Sequence, residues 1–277
     1  MCSSDLVARL PIIGQIMEPG RSFHPPATSV TVQAIYDAES IALLVRWHDM
    51  RADTAGRNGP SLPVPPEEEE EAAPLAQAEQ AQPLDPFATE TAPVVVPPSE
   101  FSDAVAIQIP SEARTGARKP YFIFGDAQNP VDLWFFDLAR PDPVQVTGRG
   151  SGNIAPNDTG DLTGVASYDQ GEWSVIFKRP LRATSGAPFS PGQFMPIAFS
   201  VWDGLSRERG NRRGLTVWYS LYVEPETVPS AVGPMVKTAL LILAIELAVI
   251  GWVRWRYGSR TRGEFGGKPT QPAATRA

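Results

Sequence analysis

Through most of the chain before residue 225, apolar residues either alternate with polar ones or run together for four to eight positions between turn residues. That is the pattern of half-buried and fully buried β-strands. The stretch VTVQAIYDAESIALLVRWHD (30–49) reads as two strands joined by a turn at Asp37-Ala38-Glu39-Ser40. In its second half Ile41, Leu43, Val45 and Trp47 share one face, and His48 ends the strand on the other. Further strands are expected at DAVAIQIP (103–110), KPYFIFG (119–125), VDLWFFDL (131–138), GEWSVIFKRPL (171–181), MPIAFSVWDG (195–204) and LTVWYSLYVEP (215–225). Turn-rich runs such as GDAQNP and GRGSGNIAPNDTG punctuate them. No stretch before Val232 sustains a 3.6-residue apolar period over a dozen positions. The pattern therefore predicts an all-β domain, an antiparallel β-sandwich, over residues 7–228. The expected role of Trp47, Trp134, Trp173, Trp202 and Trp218 is to pack its core.

The β pattern breaks in two places. Between Arg57 and Pro98 the apolar residues follow no period, and this stretch holds ten of the 29 prolines, eight acidic residues and one basic residue. Proline and like charge together oppose a packed core, so 57–98 reads as a solvated, disordered insertion in a surface loop, with an acidic docking role as the alternative. From Val232 to Val253 the chain is almost continuously apolar, long enough to cross a bilayer core of about 30 Å. Lys237 near one end can snorkel. Glu246 lies inside the span, which suits a partner helix, a polar lipid contact or a protonated acid, and equally a neutral or tilted Glu in a lone anchor. Arg254, Arg256, Arg260, Arg262, Lys268 and Arg276 follow, against Glu264 alone, so 254–277 is expected to be a cytoplasmic tail and the sandwich to lie outside. Trp252, Trp255 and Tyr257 fit an interfacial belt.

The formal charge of −7 is unevenly spread, because the 57–98 stretch alone carries −7 and the 254–277 tail is strongly basic. With its basic cluster confined to that tail, the chain is not expected to bind nucleic acid. Only one cysteine and two histidines occur in 277 residues. Covalent CxxCH haem attachment, cysteine-held Fe–S clusters, CxxC zinc sites and intrachain disulfides are thereby excluded. No GxSxG, GxxxxGK[ST], HExxH or EF-hand pattern occurs. Asp103, Asp126, Asp203 and Glu208 sit in turn-like positions and form no recognisable carboxylate pair. A binding or electron-carrying subunit without its own catalytic site is expected. The first six residues, MCSSDL, match the translation of a common sequencing adapter. They are expected not to be native, with Cys2 spurious and the true start, including any signal peptide or further domain, lying upstream.

The series YDAESIALLVRWHD, FSDAVAIQIP, KPYFIFGDAQNPVDLWFF, GEWSVIFKRPL and PIAFSVWDGLSRERGNRRGLTVWYSL resembles one family in order, spacing and flanking turns, over roughly residues 10–225. It is the haem-binding family related to the ethylbenzene dehydrogenase gamma subunit, also called the cytochrome c-552/DMSO reductase-like haem-binding domain. The resemblance implies a β-sandwich holding one b-type haem. It also implies electron transfer outside the cytoplasmic membrane, alongside a molybdenum enzyme and an Fe–S subunit or with a cytochrome carrier. In that family one axial ligand is a Met in a segment like FLMGD, and the matching FIFGD places Phe124 there. The other is a Lys after the WDG motif, and the matching residue is Arg213.

Phenylalanine has no lone pair for iron, and arginine stays protonated at any relevant pH. Other donors are His24, His48, Met17, Met50 and Met195. Arg212 and Arg213 are candidates for paired contacts to haem propionates. Each has a plain structural alternative: a solvent-facing or turn-bonded histidine, a packing methionine, an exposed turn arginine. Two functions follow. One is a membrane-anchored periplasmic b-type haem subunit of a respiratory complex. The other is a haem-less sandwich serving as a structural, docking or ligand-binding subunit.

Overall fold

The computed structural model describes residues 2–3, 7–65, 99–112, 119–157, 159–225 and 230–257. It divides into two units, 1–226 and 227–277. In the first, the strands are β1 (Cys2–Ser3), β2 (Ala8–Pro11), β3 (Ile13–Gly14), β4 (Ser29–Tyr36), β5 (Ser40–His48), β6 (Ala104–Pro110) and β7 (Val131–Asp137). They continue as β8 (Val144–Gly148), β9 (Ile154–Pro156), β10 (Thr163–Asp169), β11 (Glu172–Pro180), β12 (Phe194–Trp202), β13 (Gly214–Leu215) and β14 (Tyr219–Tyr222). One sheet has the order β1-β4-β5-β11-β10 with β2 also on β4; the other runs β3-β13-β12-β6-β7-β8-β9 with β14 also on β12. Every pairing is antiparallel. The antiparallel β-sandwich read from the sequence is the observed fold.

The period-two pattern explains how the sheets face each other. Ile41, Leu43, Val45 and Trp47 of β5 are buried, and His48 is exposed. They join Val105, Ile107 and Ile109 of β6 and Trp134 and Phe136 of β7 in one core between the sheets. The turn from β4 to β5 is held by Asp37, whose Oδ1 accepts the N–H groups of Glu39 at 2.8 Å and Ser40 at 2.7 Å. Strands β6 and β7 are buried along their whole length. Their second face (Ala104, Ala106, Val131, Leu133, Phe135) is not left to solvent. It carries a second apolar cluster with Ile123, Phe124 and Trp202.

Three sequence readings change. KPYFIFG is not a strand: residues 122–124 form a turn, with the Gly125 N–H donating to the Tyr121 carbonyl at 2.9 Å and Phe124 at φ 56°. Its apolar run serves to cap the sheet rather than to join it. Residues 57–65, read as part of the solvated insertion, are packed into the domain. Asn58 is buried and donates through Nδ2 to the carbonyls of Ser102 (2.6 Å) and Glu208 (2.9 Å). The insertion's 66–98 portion lies outside the described residues. The weakly apolar strands β8 and β10, unread in the sequence, complete the two sheets; β10 joins β11 through Gln170 (φ 49°) and Gly171 (φ 80°). Among the tryptophans, 47, 134, 173 and 202 are buried and Trp218 is half-buried.

The second unit contains α1 (Val232–Tyr257), 26 residues with no buried side chain, or about 39 Å of helix. Among the described residues it is the one helix long and apolar enough to cross a membrane. It extends beyond the predicted 232–253 span through Arg254 and Arg256, and the Arg256 guanidinium lies 6.0 Å from the Trp252 ring. Residues 258–277 of the basic tail lie outside the described residues.

Candidate functional site

Two of the motifs that carry the family resemblance, FIFGD and the stretch after WDG, meet on the outer face of the eight-stranded sheet. Two segments cover it there. In the first, Phe124 and Gly125 both adopt left-handed conformations (φ 56° and 72°). A Cβ on Gly125 would lie 2.6 Å from the Asn129 carbonyl, so the turn requires glycine there. A left-handed phenylalanine is uncommon, and its ring is wholly buried on the sheet. The second segment is the loop 203–213 that follows β12. Trp202 fastens it by donating from Nε1 to the Gly210 carbonyl at 3.0 Å.

These turns bring Phe124 and Arg213 into direct contact. The Arg213 guanidinium carbon sits 3.8 Å from the Phe124 ring centroid and 5.7 Å from that of Trp202. Arg213 is fully buried and donates from Nε to Ser200 Oγ at 3.1 Å, with long bonds from Nη1 to Asn211 and Gly210 carbonyls at 3.4 and 3.5 Å. Nη2 has no partner. Burial pushes Arg213 down to about 9, and the nearby Glu208 charge only partly opposes it. Burial likewise pushes Glu208 up to about 8. Arg213 thus keeps its proton at neutral pH.

This pair does not fit haem iron. One side chain has no donor atom and the other has no free lone pair. Their contact at 3.8 Å also leaves no space between them for a macrocycle. At the two positions where the motif resemblance implies ligands, the structure has a closed cation–π stack.

Immediately beside the stack is a cleft of about 860 Å³, in the size range of cofactor sites. Phe122, two residues before Phe124, and Leu215, two after Arg213, contribute to its wall with Ile12, Phe23, His24 and Trp218. Apart from Thr28 and Thr216 the rest of the wall is apolar, and it includes exposed Ile13, Ile16 and Val217. Three features suit a flat apolar group with anionic substituents. His24 supplies the one imidazole. The Trp218 indole N–H has no acceptor. Two cations outside the lining touch wall residues: Arg21, ion-paired with Glu18 at 3.0 Å, lies 5.7 Å from the Phe23 ring, and Lys119 Nζ donates to the Trp218 carbonyl at 3.0 Å. The cleft's residues therefore fit haem, although the pair at the family's axial positions does not.

The other candidates lie elsewhere. His48 is exposed at the end of β5, opposite Glu172. Met195 is packed in the core between the sheets. Met50 is exposed, as is Met17, and neither contributes to the cleft. Arg212 is half-buried in the loop, with its N–H on the Arg209 carbonyl at 2.9 Å.

The sequence reading missed a cluster of buried acids. Asp103 and Asp203, read as unpaired turn residues, lie together with Asp53, and all three are buried. Burial, then the Asp49 charge, pushes Asp103 up to about 7; burial and the charges of Asp203 and Asp53 push Asp49 to about 6. These residues come from three distant segments, so no spacing in the sequence announces them. Asp126 remains a turn residue, its Oδ1 accepting the N–H groups of Gln128 and Asn129.

Residues 146–214 match the family described as ethylbenzene dehydrogenase. A Haloferax mediterranei protein described as the respiratory nitrate reductase heme subunit ORF7 is 29% identical over 156 residues, which is 56% of this chain. The chain spans about half the length of that curated relative, 53%. Both matches support the resemblance read from the motifs. Among solved structures the chain is similar to a protein from Bacteroides uniformis described as carbohydrate-binding (10% identity, TM-score 0.37, covering 80% of this chain and 81% of that one). It is also similar to a family 9 carbohydrate-binding module of Caldicellulosiruptor kristjanssonii in complex with glucose (12% identity, TM-score 0.35, covering 76% and 73%). Likeness at this level says nothing about ligands.

Proposed function

From the premise of an ethylbenzene dehydrogenase-like sandwich, we propose that this chain is the membrane-tethered haem subunit of a respiratory redox complex of the molybdoenzyme type. The observation that carries the reading is the cleft beside the Arg213–Phe124 stack, because its mostly apolar wall includes one imidazole and two cations lie behind wall residues. When bound, haem supplies a one-electron acceptor and donor. The residues of the cleft would do the rest. His24 would hold the iron through a ring nitrogen, Phe23, Phe122 and Trp218 would shield the group from water, and Arg21 and Lys119 would offset its negative charge. With no CxxCH sequence the haem is b-type. Helix α1 anchors the chain, and the positive residues after Val253 put that end in the cytoplasm and the sandwich outside. Electrons pass to and from partner subunits or a cytochrome carrier, and the chain itself is accessory rather than catalytic.

The closed stack favours a second reading, a haem-less docking or ligand-binding subunit, since both axial positions are occupied by groups that do not ligate. Optical and electron paramagnetic spectra of the full chain purified from membranes separate the two. The haem reading expects a reducible Soret band and the high-spin signature of a haem held by one histidine. It also expects His24→Ala to lose haem, while His48→Ala and Met195→Leu leave the spectrum unchanged. A spectrum indifferent to His24→Ala overturns His24 as the ligand. A folded chain without a Soret band supports the second reading.

A further inference from the structure

We propose that Asp53, Asp103 and Asp203 form a divalent-cation site of calcium type that ties the two sheets together at one end of the sandwich. The proposal is independent of haem. A carboxylate oxygen from each residue lies within 4.8 Å of the others. Two oxygens sharing a calcium ion at 2.3–2.6 Å can be at most about 5 Å apart, so the three can surround one ion. All are buried: Asp53 is 5% exposed, Asp103 0% and Asp203 8%. Asp53 comes from the loop after β5, Asp103 precedes β6, and Asp203 follows β12.

Acidic residues gathered in this way do not make a site unless an oxygen is left for the ion. Here the backbone fixes the carboxylates and leaves acceptors over. Asp103 Oδ2 accepts the Asp53 N–H at 2.7 Å and the Trp173 indole N–H at 3.0 Å, and its Oδ1 accepts the Gly204 N–H at 2.8 Å. Asp203 Oδ1 accepts the Ser206 N–H at 2.9 Å. Asp53 Oδ1 takes the Arg51 guanidinium at 2.5 Å and the Ser99 hydroxyl at 2.6 Å, but Asp53 Oδ2 is buried with no donor at all. Beside Asp203, Glu208 is in the same state: its Oε2 holds the Asp203 N–H at 2.9 Å, while Oε1, in a side chain 2% exposed, has no partner. Asp49 adds a fourth carboxylate nearby, its Oδ1 on the Arg51 N–H at 3.0 Å.

Buried carboxylate oxygens without donors are what a cation would satisfy. An all-oxygen set with no imidazole or thiolate selects a hard ion over zinc or copper, and calcium accepts irregular geometry. The ion would also fix the start of the 203–213 loop, which delivers Arg213 to Phe124.

The test uses the full chain in detergent after treatment with a chelator, with terbium as the calcium probe. Trp173, whose indole N–H is bonded to Asp103, is placed to sensitise terbium luminescence. The proposal expects tryptophan-excited emission that excess calcium displaces, a calcium-dependent rise in the melting temperature, and at least tenfold weaker terbium binding in Asp203→Asn. If Asp203→Asn does not fold, Trp173→Phe decides: sensitised emission should fall while the calcium-dependent rise persists. The proposal is overturned if the folded chain shows neither sensitised emission nor a calcium effect. It is also overturned if Asp203→Asn binds as before, as terbium held by the Glu67–Glu71 run would, or if Trp173→Phe leaves the emission unchanged.

Discussion

Arg213 is a buried charge whose surroundings do not fully offset its loss of water, and replacing it tests that directly. Burial pushes its pKa down from the ordinary arginine range to about 9. At about 1.36 kcal/mol per unit, the fold disfavours the charged form by about 5 kcal/mol relative to the unfolded chain. This net figure already includes the opposing pull of Glu208. Two favourable contacts do not appear in it: the attraction of the charge to the Phe124 and Trp202 rings, about 2 kcal/mol for a desolvated cation–π pair, and one good hydrogen bond to Ser200. Arg213→Met keeps most of the volume and removes the charge. It is expected to be neutral or to stabilise by about 1–4 kcal/mol, as apolar replacements of buried ions do. Arg213→Ala instead opens a cavity against Phe124 and Trp202 and should cost about 3 kcal/mol. For a sandwich of this size that corresponds to a fall in melting temperature of roughly 6–12 °C. Thermal unfolding of the full chain, followed by near-ultraviolet circular dichroism, separates the two variants. If Arg213→Met melts as low as Arg213→Ala, the charge is fully compensated and the reasoning fails.

Asn58→Ala should destabilise by about 2–3 kcal/mol, because it strips donors from the buried carbonyls of Ser102 and Glu208; urea unfolding measures it, and a change under about 0.5 kcal/mol would show that 57–65 is not part of the fold. Asp132 supplies the pH test. Burial raises its pKa above 3.8, against opposing bonds from Gln145, Thr147 and Asn157 and the charge of Arg179. The folded chain therefore holds this proton above the pH at which the unfolded chain releases it. Asp132 contributes stability below about pH 4 that is lost as pH rises toward its folded pKa. Asp132→Asn should flatten the stability profile upward of pH 4, and an unchanged profile would contradict the assignment.

The fold was legible where burial is one-sided. Ile41, Leu43, Val45 and Trp47 alternate with exposed or half-buried neighbours, and that pattern is sufficient to place β5 and its partners. It fails where a segment packs without hydrogen-bonding into a sheet. Tyr121–Phe124 is as apolar as a strand, yet its left-handed turn lays it across β6 and β7, and no period distinguishes the two uses. Strands such as β10 failed in the opposite way, because an edge strand with mostly exposed side chains needs no apolar pattern. At the site, the motifs identified Phe124 and Arg213 as occupants of the ligand positions, but only the three-dimensional contact shows that they stack on each other. The sequence names His24 as a possible donor but not its place in the cleft, and it hides the Asp53–Asp103–Asp203 group for the same reason: each site joins residues from separate loops, and proximity across loops leaves no mark in spacing.

The central claim is the proposal that a chain with Arg213 stacked on Phe124 carries haem in the adjoining cleft. A pyridine haemochrome assay on the full chain, purified from membranes and shown to be folded, tests it most directly. The account predicts a haem b signal equimolar with the chain that diminishes in His24→Ala. A folded chain with no haem b signal would contradict it.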